Sequence, residues 1–406
     1  MKKTLSVAAS LVIAATCGFG LTLPAHAADT AGVTAAAGPS SQSSLDTSSM
    51  DPQHQAVVDR ILAKLPADWQ ARLDAAKVKY GLQGGQWQEI RDSAINPGDY
   101  QCQTTELSQY ANALLDDVQD PWNIFILSLF GGFDMPTYDA LIYGKESSSN
   151  TFGVNGQYTQ QLNSEMKNLK RFWDIDSANI ELIPMHGADV FTSSDRLSRT
   201  LSVLYGGTPE ENLDLADMLI ELVGSEPSLQ GGANPIFTFN AFAYSEKDDP
   251  APLGVTDRII MGDGILQGMY KVNLGDVAPR GILGHEFGHH VQYQKNLFES
   301  DLSGPEATRR TELMADAFGT YYLTHSRGES LNAARVLKSE KSFYQVGDCS
   351  FTSSGHHGTP NQRFNTSSWG ASIANEAPNQ GHILPALTFD KLFEAKLPDL
   401  VKPDSE

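Results

Sequence analysis

Basic residues are scarce in this chain: 29 lysines and arginines stand against 49 aspartates and glutamates, for a formal charge of −20. Phosphate recognition needs a basic face, and no Lys/Arg cluster supplies one, so nucleic acid is excluded as a partner. Long apolar runs are also missing after Leu23. The greasiest later stretch, Ile124 to Phe133, is short and carries paired glycines, so no stable membrane insertion is expected once the leader is removed. Cysteine is rarer still, with Cys17, Cys102 and Cys349 making up the whole complement. What is left is 40% hydrophobic and 19% charged residues over 406 positions. That composition belongs to a soluble globular protein with length for one large domain plus an N-terminal extension, or two modest domains.

The first residues set the compartment. Lys2 and Lys3 precede an apolar stretch from Leu5 to about Leu23, and Ala25-His26-Ala27 gives the small-x-small pattern of a signal-peptidase site. Residues 1–27 are therefore expected to be a cleaved signal peptide, and the chain to be secreted, whether periplasmic or extracellular. Cleavage removes Cys17. In an oxidising compartment the remaining pair, Cys102 and Cys349, is expected to form a disulfide that ties the N-terminal region to the C-terminal lobe.

Residues 28–50 are Ala, Ser, Thr and Gly with almost no large apolar side chain, which reads as a disordered linker. Residues 51–150 read as a helical N-terminal region, with Val57, Ile61, Leu62 and Leu65 on one face and Leu107, Tyr110, Leu114 and Leu115 on another. A Ser/Asn/Gly-rich stretch from Glu146 to Gly156 marks the boundary to residues 151–406. Beyond it the periodicity predicts helices over Tyr158–Phe172, Ser194–Tyr205 and Pro209–Val223, and a strand over Ile180–Met185. Two further strands are predicted, an aromatic one over Pro235–Tyr244 and a short one over Arg258–Met261 closed by Gly262-Asp263-Gly264; being consecutive, they suggest an antiparallel pair. Helices then run from Val277 to about Phe298 and from Pro305 to Arg327, with Gly328 as the stop.

The chemistry concentrates in Gly284-His285-Glu286-Phe287-Gly288-His289-His290. Residues four apart share a helix face, so His285 and His289 can aim imidazole nitrogens at one ion, with Glu286 about 100° around the helix as a base beside it. A catalytic zinc takes three protein ligands and leaves a fourth place open. The following helix offers the third in Glu312, and Asp316, one turn on, can orient a ligand histidine through its free ring N–H. Gly284 and Gly288 on one helix, with Ala315 and Gly319 on the other, would let the two backbones approach closely. His290 points away from that face and is expected to hydrogen-bond or pack.

HEFGH followed by ELMAD resembles the gluzincin metallopeptidases, whose third zinc ligand is the downstream glutamate. Asn240-Ala-Phe-Ala243 is similar to the edge strand of the thermolysin-type and CAAX prenyl endopeptidase families, the latter with soluble periplasmic relatives. There the strand binds substrate backbone by adding to the sheet edge, a role that Asn240 and Ala241 would inherit by position. His357-Gly-Thr-Pro-Asn-Gln-Arg363 resembles the HP-x-x-x-x-R segment of the prenyl endopeptidases, with Gly358 in the proline position, and the HGT-x-x-QR segment of the predicted neutral zinc metallopeptidases. The resemblance implies that His357, or His356 in its place, and Arg363 stabilise an oxyanion.

It also implies an α+β, zincin-like fold, mainly helical, with a small mixed or antiparallel sheet beside the HExxH helix. Residues 151–406 would form a zinc metallopeptidase domain that holds one zinc ion per chain and hydrolyses protein or peptide substrates with Glu286 as general base. Two other readings stay open: a secreted zinc-binding or chaperone-like protein without turnover, and a zinc hydrolase of a non-peptide bond.

Overall fold

The structure is a computed structural model and describes residues 10–11, 50–79, 102–247, 252–302, 304–349, 356–379 and 381–403. The expected signal peptide and linker lie outside the described residues except for Ser10, Leu11 and Met50. The chain is mainly helical, with a small mixed sheet of β1 (Ser10–Leu11), β2 (Glu181–Met185), β3 (Ala241–Tyr244) and β4 (Arg258–Gly262), in the order β1-β3-β4-β2. β3 and β4 pair antiparallel and β2 and β4 parallel, with Ile260 opposite both Phe242 and Ile183. The two-residue β1 adds antiparallel to the outer edge of β3.

β4 is buried along its whole length: Ile259-Ile260-Met261 is apolar and covered on both faces, and Arg258 at its start donates to the Leu141 and Gly144 carbonyls. Side chains alternate along a strand, and the alternation divides the core in two. Leu182, Ala241, Ile259 and Met261 face a cluster that contains Leu283, Phe287, Leu313 and Phe318 from the motif-bearing helices. Ile183, Met185, Phe242, Tyr244 and Ile260 face a second cluster with Val58, Ile61, Ile126, Phe130 and Tyr138 from residues 51–150. The N-terminal helices within residues 52–79 and 121–143 thus back the sheet from the side opposite the motif helix, whereas the helix Glu106–Ala113 places Leu107 and Ala111 in the motif-side cluster.

Several elements fall where the sequence predicts, among them the helices Thr159–Phe172 and Ser194–Tyr205 and the strand β2. Others differ. Residues 235–238 form a short 3-10 helix instead of the start of a long strand, because the Asn234 side chain caps it at the Ile236 N–H and Pro235 suits its first turn. The helix expected from Pro209 begins at Leu213. Gly262-Asp263-Gly264 closes β4 as expected, but it leads into an unexpected helix, Asp263–Lys271, in which the Gly264 N–H donates to Thr238 Oγ1.

Three helices carry the motifs: the motif helix Ala278–Lys295, the partner helix Gly304–Thr324 and the arginine helix Pro360–Asn375. The motif helix stops at Asn296, which takes the left-handed conformation that asparagine tolerates after a helix end. The small residues work as expected. A Cβ on Gly284 would stand 3.3 Å from the Gly319 Cα, one on Gly288 3.2 Å from the Ala315 Cα, and one on Gly319 3.0 Å from the His285 backbone nitrogen. The arginine helix opens with a capping box between Thr359 and Gln362 and with Pro360 in its first turn.

Candidate metal centre

A helix buried on every side would ordinarily be apolar throughout, yet the motif helix carries His285, Glu286, His289, His290 and Gln292 at 0–1% exposure. His285, Glu286 and His289 each offer a ligand atom within 4.8 Å of the others, a buried group that could hold a metal ion. The two imidazoles stand edge to face, with Nε2 atoms 3.1 Å apart. From the partner helix, Glu312 brings Oε2 to 3.3 Å from His285 Nε2 and Oε1 to 3.5 Å from His289 Nε2. Ligands around a tetrahedral zinc at normal bond lengths lie about 3.3–3.5 Å from one another, which is the spacing seen here.

Hydrogen bonding fixes the tautomers. His285 Nδ1 lies 2.7 Å from Asp316 Oδ1, a carboxylate that can only accept, so Nδ1 bears a hydrogen and Nε2 is the nitrogen left to face the other candidate ligands. His289 Nδ1 lies 2.8 Å from Gln292 Oε1, and that amide cannot be reversed because its Nε2 donates to the Thr311 carbonyl at 2.7 Å. His289 Nε2 therefore presents a lone pair. With His285 charged, its Nε2–H can donate to the His289 Nε2 lone pair across 3.1 Å, and a metal ion held by both nitrogens would displace that proton. Glu312 Oε2 and both oxygens of Glu286 are buried without a close hydrogen-bond partner, the Ala243 backbone N–H being only a weak neighbour of Glu286. Orphaned acceptors of this kind are costly to bury, and a cation removes the cost.

The electrostatics agree with the geometry at three of the four groups; at His285 burial opposes the charge, but Asp316 and Glu312 outweigh it and raise the ring to about 9, so a metal ion would have to displace the Nε2 proton. Burial pushes the Glu286 carboxyl up to about 8, with Glu312 adding to the shift, while His285, Arg363 and the Ala243 backbone N–H of β3 oppose it. Burial would raise Glu312 as well, but His357, His289 and His285 outweigh it and hold Glu312 well below the usual carboxylate range. His289 is pulled down to about 4, chiefly by burial, and so stays neutral. His290 is kept out of the group: its Nε2 contacts the Arg258 carbonyl of β4 at 3.1 Å, as the helical wheel predicts.

Arg363 stands elsewhere than its expected role requires. It is fully buried, and its Nε (2.7 Å) and Nη2 (2.5 Å) grip Asp316. Nη2 also lies 3.4 Å from His285 Nδ1, on the side of the ring away from the other ligands. The guanidinium thus braces Asp316 and His285 and offers no free fork to an oxyanion. Of the two candidate histidines, His357 is the one that acts on Glu312. Burial works against its charge, and Glu312 and Asp348 outweigh that, so its pKa is raised. Gly358 has φ of 101°, a conformation closed to proline, so the departure from the HP pattern is required by this backbone.

Asn240 precedes β3, its carbonyl accepting the Gly262 N–H at 3.0 Å, and its side-chain Oδ1 is buried without a hydrogen-bond partner. Ala241 opens β3 opposite Met261 and Leu11. Cys102 and Cys349 are joined in a disulfide with Cα atoms 5.7 Å apart. Among the described residues no helix is long and apolar enough to cross a membrane. The sequence reading missed Gln292 and Asp348. Gln292 was detectable, being three residues after His289 on one helix. Asp348 carries no sequence signal beyond standing next to Cys349. Comparison of the chain with family models, with curated proteins and with solved structures finds no match.

Proposed function

We propose that the chain is a secreted zinc-dependent endopeptidase of zincin-like fold, with His285, His289 and Glu312 as metal ligands and Glu286 as general base. The observation that carries this reading is the pair of Nε2 atoms locked toward each other beside Glu312 by the hydrogen bonds at their Nδ1 sides. The donor set of two imidazoles and a carboxylate suits zinc, which when bound would polarise a scissile carbonyl and ease the deprotonation of a water. Glu286 takes that water's proton and passes it to the leaving amine, a task suited to a buried carboxyl beside the ligand group. Asp316 and Gln292 keep the two ligand rings in the tautomer that binds metal, and Arg363 braces Asp316. His357 supplies a donor to the tetrahedral oxyanion.

Peptide is favoured over other substrates by the sheet edge. β3 runs beside Glu286, and its outer edge accepts an antiparallel strand, a place that Ser10–Leu11 takes here and that a substrate backbone would take in the processed enzyme. Asn240 Oδ1, a buried acceptor without a partner, lies at the start of that edge. The leader and the disulfide support secretion. A peptide library incubated with the processed protein, with and without a chelator, tests the reading: chelator-sensitive cleavage supports it, while a zinc-loaded protein that cleaves no peptide rejects it.

A further inference from the structure

The loop that presents His357 is organised around one carboxylate. Asp348 Oδ1 accepts from His356 Nδ1 at 2.8 Å, and Oδ2 accepts the His357 backbone N–H at 2.7 Å with the His357 ring Nδ1 at 3.4 Å. Its own backbone N–H donates to the Gly358 carbonyl at 3.0 Å. Asp348 and residues 356–358 are thus clasped from both sides. The clasp is itself anchored: Cys349 is bridged to Cys102, and the Asp348 carbonyl lies 3.4 Å from Cys102 Sγ. Both histidines are buried, at 0% and 3% exposure. A buried imidazole held at its Nδ1 side and by its own backbone N–H has little freedom to turn, and Nε2 is the ring nitrogen not committed to Asp348.

We propose that Asp348 is a positioning residue that sets the tautomer and orientation of His357 at the metal centre, with the Cys102–Cys349 bridge fixing Asp348 in place. The proposal deepens the peptidase reading and rests on it. Asp348 touches neither substrate nor metal; it acts by keeping a hydrogen on His357 Nδ1, so that the Nε2 side faces the reacting carbonyl. Removing such an orienting partner typically costs 10–100-fold in activity. Because the contact of His357 with substrate is made to the oxyanion, the loss should appear in kcat and leave KM nearly unchanged.

The experiment compares the parent with Asp348→Asn, which keeps the side-chain shape, and Asp348→Glu, which keeps the charge. The expected result for Asp348→Asn is a fall of about 10–100-fold in kcat at parental zinc content, with partial recovery in Asp348→Glu. Binding of a phosphonate peptide, an anionic tetrahedral mimic, should weaken by a similar factor while a substrate peptide binds as before. A merely structural role would lower zinc content or affinity for both ligands together, and that pattern overturns the proposal. Ring 15N NMR of His357 needs no turnover: Nδ1 should carry its hydrogen in the parent and lose it in Asp348→Asn. An unchanged ring in the variant overturns the proposal whether or not the chain cleaves peptides. Absence of cleavage by the parent, with the ring changed as expected, counts instead against the peptidase reading.

Discussion

Replacing Asp316 by alanine perturbs the protein in two ways that can be measured separately. Asp316 is fully buried, receives two guanidinium nitrogens of Arg363 and accepts from His285 Nδ1. In the variant the Arg363 charge stays at 0% exposure, with Glu312 at 3.9 Å and the more weakly acting Asp348 as acidic neighbours. Breaking a buried ion pair from one side costs about 3–5 kcal/mol, because the surviving charge keeps its desolvation penalty and loses its compensation. Urea unfolding of the chelator-treated protein reads that loss without any contribution from metal. The second effect is on the ligand: with no acceptor at Nδ1, His285 is free to turn, and zinc affinity should fall by about 10–100-fold in a competition titration. Pairing Asp316→Leu with Arg363→Met should restore most of the stability, since an apolar pair of similar volume is often neutral. It should not restore the affinity. A loss below about 1 kcal/mol for Asp316→Ala, the value of an exposed pair, would refute the reasoning.

Helix packing and pH give two more expectations. A Cβ on Gly370 would lie 2.6 Å from the Ala317 carbonyl oxygen and 3.0 Å from its Cα, both backbone atoms of the partner helix, so Gly370→Ala should cost about 1–3 kcal/mol. Gly224, exposed in the helix Leu213–Ser225 with nothing within 4 Å of an added Cβ, is the control, and Gly224→Ala should stabilise by about 0.5–1 kcal/mol in the same thermal assay. His54 bridges Asp51 (2.6 Å) and Asp120 (2.7 Å), and although burial opposes its charge, the two carboxylates raise its pKa. Its contribution is therefore complete below the ordinary histidine value and is lost as pH rises through the raised one. The thermal midpoint of the parent should fall more between about pH 6 and pH 9 than that of His54→Gln, and equal falls would remove His54 from the account.

The metal-binding half of the site was legible because its information is local. His285 and His289 lie on one helical turn, the small residues at 284, 288, 315 and 319 mark where two backbones meet, and the structure brings them together as expected. The sheet was legible in part. The antiparallel pairing of β3 and β4 follows from their succession in the chain, whereas the parallel pairing of β2 with β4 joins segments about 77 residues apart and leaves no local trace. Aromatic content misled at Pro235–Thr238, where burial, not strand structure, explains the side chains, while the Asn-Pro cap signal was present and overlooked. Arg363 shows the limit most clearly. Its motif suggested contact with substrate, but its partner Asp316 stands 47 residues earlier, and only the fold shows the guanidinium to be buried and engaged. Asp348 reaches His357 over nine residues through a loop anchored by the disulfide, a geometry that spacing cannot reveal.

The central claim is that the buried group holds one zinc ion and that Glu286 moves the proton of peptide hydrolysis. It is tested most directly by measuring zinc per chain and chelator-sensitive peptide cleavage together, in the parent and in Glu286→Gln. One zinc per chain in both proteins, with cleavage abolished by chelator in the parent and reduced at least about 100-fold in the variant, is the predicted result. A variant that binds zinc and cleaves as fast as the parent, or a parent that cleaves without zinc, would contradict it.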